Sequence, residues 1–212
     1  MDIVSYIINK IVDIKGTTPL LVAIDGVDTA GKTILADKIR DRMLAKKLFS
    51  PLRISIDRFH NPREIRTKRG KLSPEGYFLD SFNYPEIINC IIRPVKERQP
   101  YLINGIFDFR TDKQLQPEKI PLSDQTVVLF DGIFLLRDEL YKFWNISVFL
   151  DISFETILKR ALDRDLDLFG TEKEILRKYK QRYIPGQKIY LERCNPRQRA
   201  DLVFDNNDPE NP

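Results

Sequence analysis

The stretch "AIDGVDTAGKTILADKIRDRM", residues 23–43, decides the fold. It joins an apolar run to a segment in which Ile34, Leu35 and Ile39 fall at helical spacing. Residues 26–33, between the two, match the pattern G-x-x-x-x-G-K-[ST]. The glycines permit a tight turn whose backbone amides point at phosphate oxygens, and the following helix presents its positive end to them. The stretch therefore predicts a loop that binds the phosphates of a nucleoside triphosphate.

The loop also predicts a magnesium site. Its members are Gly26, Val27, Asp28, Thr29, Ala30, Gly31, Lys32 and Thr33. Lys32 is expected to bridge the outer phosphates of ATP, and the Thr33 hydroxyl to ligate Mg²⁺. Asp131, which closes the apolar run "TVVLFD", is the second predicted metal ligand, directly or through water. The alternative for Asp131 is a turn residue at a strand end.

Short apolar runs alternate with helical patterns along the rest of the chain. The predicted strands are 20–25, 52–57, 126–131, 146–151 and 201–205, and the predicted helices are 32–47, 85–98, 134–142, 154–165 and 171–182. A hairpin is predicted over 101–109, with Asn104-Gly105 at its turn. Nearly continuous apolar strands are typical of a parallel sheet covered on both faces, so we expect a doubly wound α/β fold.

The domain organisation follows from the same pattern. No linker or repeat divides the chain, which favours one domain over residues 1–212. Residues 1–16 predict an amphipathic helix that packs on this domain, and the charge-dense segment 154–182 predicts a lid over the sheet edge.

Four of the apolar runs end in aspartate, at Asp25, Asp57, Asp131 and Asp151. Ligands of open parallel sheets bind beyond the carboxyl ends of the strands, where these carboxylates are expected. Asp57 would face the terminal phosphate and accept the proton of an attacking hydroxyl. The alternative for Asp57 is again a turn residue.

Four stretches, in the same order as the phosphate loop, carry a wider resemblance. They are "SIDRFHNPREIRTKRGKLSPEGYFLDSFNYPE" (55–86), "GIFDFRTD" (105–112), "VVLFDGIFLL" (127–136) and "RALDRD" (160–165). Together they resemble the uridine kinase family of P-loop nucleoside kinases over roughly residues 20–207. The resemblance implies a five-stranded parallel sheet with an arginine-bearing lid. It also implies transfer of the ATP γ-phosphate to the 5′-hydroxyl of uridine or cytidine.

The resemblance assigns expected roles to single residues. It gives Asp57 the role of general base and Asp80 that of binding the ribose hydroxyls. It makes Arg160 and Arg164 the candidates for the lid arginine that helps to hold the ribose. Arg164 is also the first choice for supplying positive charge at the γ-phosphate. The segment Phe107-Asp108-Phe109 matches an aromatic segment that the family places near the base.

The nucleobase side departs from the family pattern. His60 and Asp112 stand where the family commonly has a tyrosine and a histidine, so the preference for uracil or cytosine stays open. Aromatic side chains are further candidates for flat surfaces against a base or sugar, with core packing as the alternative. These aromatic residues are Tyr77, Phe82, Phe107 and Phe109.

Composition restricts the function class only weakly. The net charge of +4 suits an enzyme of anionic substrates as well as a weak nucleic-acid binder, but no nucleic-acid motif accompanies it. The basic cluster between Arg58 and Lys71 raises the alternative of an anionic acceptor. The sequence has no long apolar run and no secretion signal, and Cys90 and Cys194 lack metal-ligand spacing. We therefore expect a cytoplasmic protein without membrane or nucleic-acid partners; homo-oligomer formation stays open.

Several activities other than uridine phosphorylation stay open. Related folds phosphorylate nicotinamide riboside, pantothenate or a sugar phosphate, and "GVDTAGKT" also resembles thymidylate kinases, whose acceptor is a nucleoside monophosphate. A nucleotide-dependent switch or ATPase without an acceptor belongs to a different class, but the chain has no N-K-x-D-type signal for reading guanine.

Overall fold

The computed structural model describes residues 2–14, 16 and 18–208. The strands are β1 (Leu20–Gly26), β2 (Ser50–Ser55), β3 (Tyr101–Ile103), β4 (Phe107–Asp108), β5 (Lys113–Gln114), β6 (Lys119–Pro121), β7 (Thr126–Asp131), β8 (Ile146–Asp151) and β9 (Leu202–Asp205). The helices are α1 (Ile3–Ile14), α2 (Lys32–Ala45), α3 (Arg63–Arg66), α4 (Pro74–Asp80), α5 (Tyr84–Ile87), α6 (Arg93–Lys96), α7 (Phe154–Arg164), α8 (Leu166–Phe169), α9 (Glu172–Lys178), α10 (Ile184–Cys194) and α11 (Pro196–Arg199). Two π-helical segments, Ile88–Ile92 and Tyr179–Tyr183, and two 3₁₀ turns, Ile56–Phe59 and Tyr141–Phe143, complete the elements.

A parallel sheet of five strands, in the order β2-β7-β1-β8-β9, forms the centre of the fold. Every residue of β1 and β7 is buried, as their uninterrupted apolar sequences predict. The expected fold class, a five-stranded parallel sheet with helices on both faces, is confirmed. Because β1 lies between β7 and β8, the loop that follows β1 sits at the middle of the sheet.

The predicted N-terminal helix is observed as α1, while Met1 and Lys15 of the predicted range 1–16 lie outside the described residues. Its buried residues, Val4, Ile7, Ile8 and Ile11, recur at helical spacing and belong to the main core. Burial of each such side chain contributes about 1.5–3 kcal/mol, so α1 is an integral part of the domain. Within the described residues, none of the helices combines the length and apolar character needed to cross a bilayer.

The predicted hairpin over 101–109 is wrong. Strand β3 pairs with β6, and β4 pairs with β5, both antiparallel. The Asn104-Gly105 corner does not close a tight turn, because Asn104 N–H donates to the Glu118 carbonyl and Ile106 N–H to the Arg58 carbonyl. Long-range hydrogen bonds thus override the local turn signal.

Two further elements differ from their predictions. The predicted helix 134–142 is wrong: Phe134 has a φ of 63°, in the left-handed region, and only the short 3₁₀ turn Tyr141–Phe143 forms. Phe134, Leu135 and Leu136 are all buried, which an amphipathic surface helix does not permit. The predicted strand 52–57 ends at Ser55, so Asp57 lies in the 3₁₀ turn that follows it.

Candidate active site

The loop between β1 and α2 has the form of a phosphate cradle. Gly26 is required at its start, because a Cβ there would lie 2.5 Å from the Leu150 carbonyl oxygen. Gly31 precedes α2 with a φ of 89°, and no side chain caps the first amides of the helix. Those amides and the positive end of α2 are therefore available to an anion. Lys32 Nζ lies at the loop, where it donates to the Val27 carbonyl at 2.6 Å.

Thr33 and Asp131, the two predicted magnesium ligands, are in contact. The Thr33 hydroxyl donates to Asp131 Oδ2 at 2.9 Å, and Arg53 Nε donates to Asp131 Oδ1 at 2.9 Å. Burial raises the pKa of Asp131, whereas Arg53, Thr33 and Lys32 lower it. A hydroxyl and a carboxylate side by side at a phosphate-binding loop fit Mg²⁺, which prefers a few protein oxygens completed by phosphate and water oxygens.

Asp57 lies within electrostatic range of Asp28 and Lys32 of the phosphate loop, and we call the space between Asp57 and the loop the cleft. Protein around the cleft displaces water from its carboxylate and raises its pKa, and the negative charge of Asp28 adds to this effect. The cations of Lys32, Arg164 and Arg110 lower the pKa in turn, so all three lie within electrostatic range of Asp57. The residue is still accessible to solvent. A carboxylate so placed can accept a proton from a group between itself and the loop.

Asp80 lies at the end of α4, and two cations neutralise it. Arg69 Nε lies 2.8 Å from one carboxylate oxygen and Lys68 Nζ lies 3.1 Å from the other. Asp112 is paired in the same way with Arg66, at 3.1 Å. The basic cluster between Arg58 and Lys71 is thus partly compensated by carboxylates of this chain.

The predicted aromatic surfaces divide into two groups. His60 lies between Phe82 and Phe109, with ring centroids 4.4 Å and 4.7 Å away, and its Nδ1 is 3.0 Å from the Asp57 carbonyl oxygen. Burial lowers the pKa of His60 to about 4, so the ring is neutral near pH 7. Tyr77, Phe82 and Phe107 are buried and have little surface left for a ligand, whereas His60 and Phe109 are partly exposed.

The two candidate lid arginines occupy different places. Arg164, at the end of α7, is bonded to Asp165 and to the Tyr179 hydroxyl, and its charge reaches Lys32 and Asp57. Arg160, one turn earlier, donates to the Thr29 carbonyl at 3.2 Å and to the Asn206 carbonyl at 2.8 Å. It therefore lies against the phosphate loop, whereas the side-chain partners of Asp80 are Lys68 and Arg69.

A cavity of about 740 Å³ adjoins the loop on the Arg160 side. The phosphate loop, α2 and Asn206 form much of its wall, and the first residues of α1 close one end. Ile34 lines it and is 62% exposed, so its apolar side chain is accessible to a ligand in the cavity. The cavity offers an apolar surface and a guanidinium next to the site that the phosphates would occupy.

Comparison with known proteins fits this geometry. The model of the phosphoribulokinase / uridine kinase family matches residues 21–210. The chain belongs to this family. Its membership indicates a kinase with a P-loop nucleotide-binding fold. The first residues of the chain, including all of α1, precede the matched region.

Individual family members are similar over most of the chain. Uridine-cytidine kinase B of Dictyostelium discoideum is 26% identical over 188 residues, which cover 88% of this chain and 74% of that protein. The uridine kinase of Saccharomyces cerevisiae is 27% identical over 71% of this chain but only 30% of its own length. A solved structure, described as a possible uridine kinase from Bacillus stearothermophilus, superposes with a TM-score of 0.76 at 25% identity. It covers 95% of this chain and 97% of that one.

Sequence reasoning missed several residues that contact the phosphate loop or the end of β1 that precedes it. Tyr190 donates to Asp25 Oδ2, Gln187 bonds both the amide and the carboxylate of Asp28, and Asn206 Nδ2 donates to the Ala30 carbonyl at 2.7 Å. All three follow the lid and are remote from the loop in sequence. The only local signal in the sequence near these residues is the Pro-Gly pair at 185–186, which belongs to no functional motif.

Proposed function

We propose that the protein transfers the γ-phosphate of ATP to the 5′-hydroxyl of a nucleoside of the uridine or cytidine type. The observation that carries the proposal is the position of Asp57. Its carboxylate is within electrostatic range of Lys32 and Arg164 at the phosphate loop, and the residue is exposed to solvent. A kinase uses such a carboxylate to accept the acceptor's proton, whereas an ATPase uses one to activate water, so dependence on an acceptor distinguishes the two.

The donor nucleotide would lie along the loop and α2. The amides of residues 29–33 and Lys32 would hold its outer phosphates, and Arg160 and Ile34 would line the cavity for its base. Thr33 and Asp131 would hold Mg²⁺, which when bound neutralises negative charge on the phosphates. In this arrangement the terminal phosphate points away from the base cavity, towards Asp57.

The acceptor would lie on the opposite side, between Asp57 and Asp80. Asp80 would accept hydrogen bonds from ribose hydroxyls, in exchange for part of its pairing with Lys68 and Arg69. His60, next to Asp57, and Phe109 are partly exposed rings tilted against each other, and a pyrimidine base could pack on them. Asp112 accepts from Arg66 and sits on the same side.

The transfer then follows from these positions. Asp57 takes the proton of the 5′-hydroxyl while that oxygen forms a bond to the γ-phosphorus. The bond between the γ-phosphorus and the β–γ bridging oxygen breaks, and ADP leaves. Lys32 and Arg164 supply positive charge to the moving phosphoryl group, and closure of the predicted lid, 154–182, excludes water. A nucleoside 5′-monophosphate and ADP are the products.

The test is acceptor-dependent ADP formation by the purified protein with Mg·ATP. The panel contains uridine, cytidine, nicotinamide riboside, pantothenate, fructose 6-phosphate and UMP, with product identity read by mass spectrometry. Formation of ADP and a 5′-monophosphate only when uridine or cytidine is present supports the proposal. Turnover confined to another alcohol, or ADP formed equally without acceptor, contradicts it and assigns the corresponding alternative.

A further inference from the structure

Asp28, inside the phosphate loop, is held by two helices that lie far from it in sequence. The Tyr77 hydroxyl of α4 donates to Asp28 Oδ2 at 2.8 Å, and Gln187 Nε2 of α10 donates to the same oxygen at 3.1 Å. Gln187 Oε1 in turn accepts from the Asp28 amide at 2.8 Å. Gln187 is fully buried and Tyr77 is 7% exposed. We call these three residues the Asp28 node.

The packing of α10 against α4 makes the node possible. A Cβ at Gly186 would lie 2.7 Å from Cδ1 of Tyr77 and 2.9 Å from the Pro74 carbonyl, so a glycine is needed for this close approach. The orientation of the Gln187 amide is also fixed. A flipped amide would place its NH₂ against the Asp28 N–H and its oxygen against a carboxylate.

The position of Asp28 makes these bonds relevant to function. A negative charge inside an anion-binding loop opposes phosphate binding, and the charge of Asp28 is felt by Lys32, Asp57 and Arg164. Two hydrogen-bond donors on one carboxylate oxygen delocalise that charge and fix its direction. Because the Asp28 amide is turned towards Gln187, the node also fixes the peptide that precedes the phosphate-facing part of the loop.

We propose that Asp28 is a positioning residue, through which Tyr77 and Gln187 hold the phosphate loop in the shape that binds ATP. Tyr77 lies one turn before Asp80 on α4, so the node connects the acceptor side of the cleft to the donor loop. The α10 end of the node follows the predicted lid directly in the chain. The inference rests on the proposed role of residues 26–33 in binding ATP and needs no identified acceptor.

The experiment measures the affinity of the purified protein for a fluorescent ATP analogue with Mg²⁺ and no acceptor. Tyr77→Phe retains the ring, which packs on Phe134 and Tyr183, and removes only the hydroxyl. We expect the dissociation constant to rise about three- to tenfold, the range for loss of one ordinary intramolecular hydrogen bond. Gln187→Leu is expected to have at least the same effect, because it removes both of the bonds between Gln187 and Asp28.

The decisive comparison repeats the substitution in a variant that lacks the Asp28 carboxylate. In an Asp28→Ala background, Tyr77→Phe should change the dissociation constant less than about twofold, because the carboxylate that its hydroxyl binds is absent. Gln187→Leu should keep part of its effect there, because the backbone amide of residue 28 still donates to Gln187 Oε1. Tyr84→Phe is the matched control: this tyrosine is also buried, but its hydroxyl accepts from Arg137 Nη1, away from the loop. Tyr84→Phe should leave ATP affinity unchanged, although it should lower thermal stability about as much as Tyr77→Phe does.

Two results overturn the proposal. In one, Tyr77→Phe and Gln187→Leu leave ATP affinity at the level of Tyr84→Phe. In the other, Tyr77→Phe weakens ATP affinity equally with and without the Asp28 carboxylate, which is the result for a general packing role. If the wild-type protein itself fails to bind the analogue, the proposed function of the loop is wrong. Failure of that function is thus distinguishable from failure of the node.

Discussion

Arg53 Nε lies 2.9 Å from Asp131 Oδ1, while the other oxygen of the same carboxylate accepts from Thr33 at 2.9 Å. Asp131 is therefore oriented by one residue of β2 and one of α2. These two hydrogen bonds fix the direction of Asp131 Oδ2, the oxygen that accepts from Thr33. A magnesium ligand needs such orientation, because Mg²⁺ tolerates little deviation from octahedral geometry.

Replacement of this carboxylate should impair magnesium use. Asp131→Asn is expected to lower kcat/KM about 100-fold and to raise the Mg²⁺ concentration needed for half-maximal activity, because one anionic oxygen is lost. The measurement is a Mg²⁺ titration of ADP formation. Asp151→Asn is the matched control, since Asp151 also ends a parallel strand but pairs with Arg197. Equal magnesium dependence in the two variants would remove Asp131 from the metal site.

Loss of the proposed base should separate chemistry from binding. Asp57→Asn retains the shape of the side chain but cannot accept the proton, so kcat should fall by a factor of about 10² to 10⁴. The dissociation constant for the ATP analogue should stay within about threefold of wild type, since Asp57 does not belong to the loop. Rapid-quench turnover and analogue binding on one preparation give both values. Undiminished turnover would exclude Asp57 as the base.

Lys32 should act on the donor phosphates. Lys32→Ala is expected to abolish measurable transfer and to weaken analogue binding at least about tenfold, because the only loop cation is lost. Burial lowers the pKa of Lys32, and the nearby Asp28 and Asp25 raise it. Lys46→Ala, at the exposed end of α2, is the control for a general charge effect. The same loss in both variants would count against a specific grip on the phosphates.

The pH dependence of activity should reflect the titration of Asp57 and not that of His60. An ordinary aspartate has a pKa near 3.9, and the pKa of Asp57 is raised above this value. As the pH falls, Asp57 therefore becomes protonated, and inactive as a base, at a higher pH than an ordinary aspartate. Activity should therefore fall as pH drops through this raised pKa. His60, with a pKa of about 4, should add no inflection near pH 6.5. A profile of kcat/KM tests both points; an inflection near 6.5 that disappears in His60→Gln would contradict the second.

The helix α1 should contribute to stability although it precedes the family-matched region. Ile7 is fully buried, so Ile7→Ala should lower the free energy of unfolding by about 2–5 kcal/mol. Val12, on the same helix, is 42% exposed, and Val12→Ala should change the free energy of unfolding by about 0.5 kcal/mol or less. Urea unfolding followed by circular dichroism measures both. Similar values for the two variants would show that α1 does not add to the core.

The sequence predicted best where one local signal determined the structure. The five strands of the parallel sheet are nearly continuous apolar runs, and four of them were placed to within one residue at each end. The second strand was predicted two residues late at both ends, because Ile56 and Asp57 continue its apolar-polar pattern into the 3₁₀ turn. The helix at 134–142 and the hairpin at 101–109 failed, since buried packing and long-range hydrogen bonds decided those segments.

The same distinction applies to the candidate site. The phosphate loop and the aspartates at strand ends are local motifs, and the sequence reached them. From the last quarter of the chain, Gln187 and Asn206 bond to the loop and Tyr190 bonds to Asp25, just before it. No short-range pattern encodes those contacts. Arg160 was expected near the ribose, but its hydrogen bonds are to the loop and to Asn206 and Asn207. Only the three-dimensional path of α7 determines which arginine faces which ligand.

The double pairing of Asp80 has a consequence for solution conditions. Lys68 and Arg69 are each about half exposed, at 53% and 49%, whereas the Asp80 side chain is 8% exposed. Dissolved ions therefore screen the two cations more easily than they reach the carboxylate. Added salt should release Asp80 for an incoming neutral sugar, so that moderate ionic strength favours capture of an uncharged acceptor and disfavours a phosphorylated one.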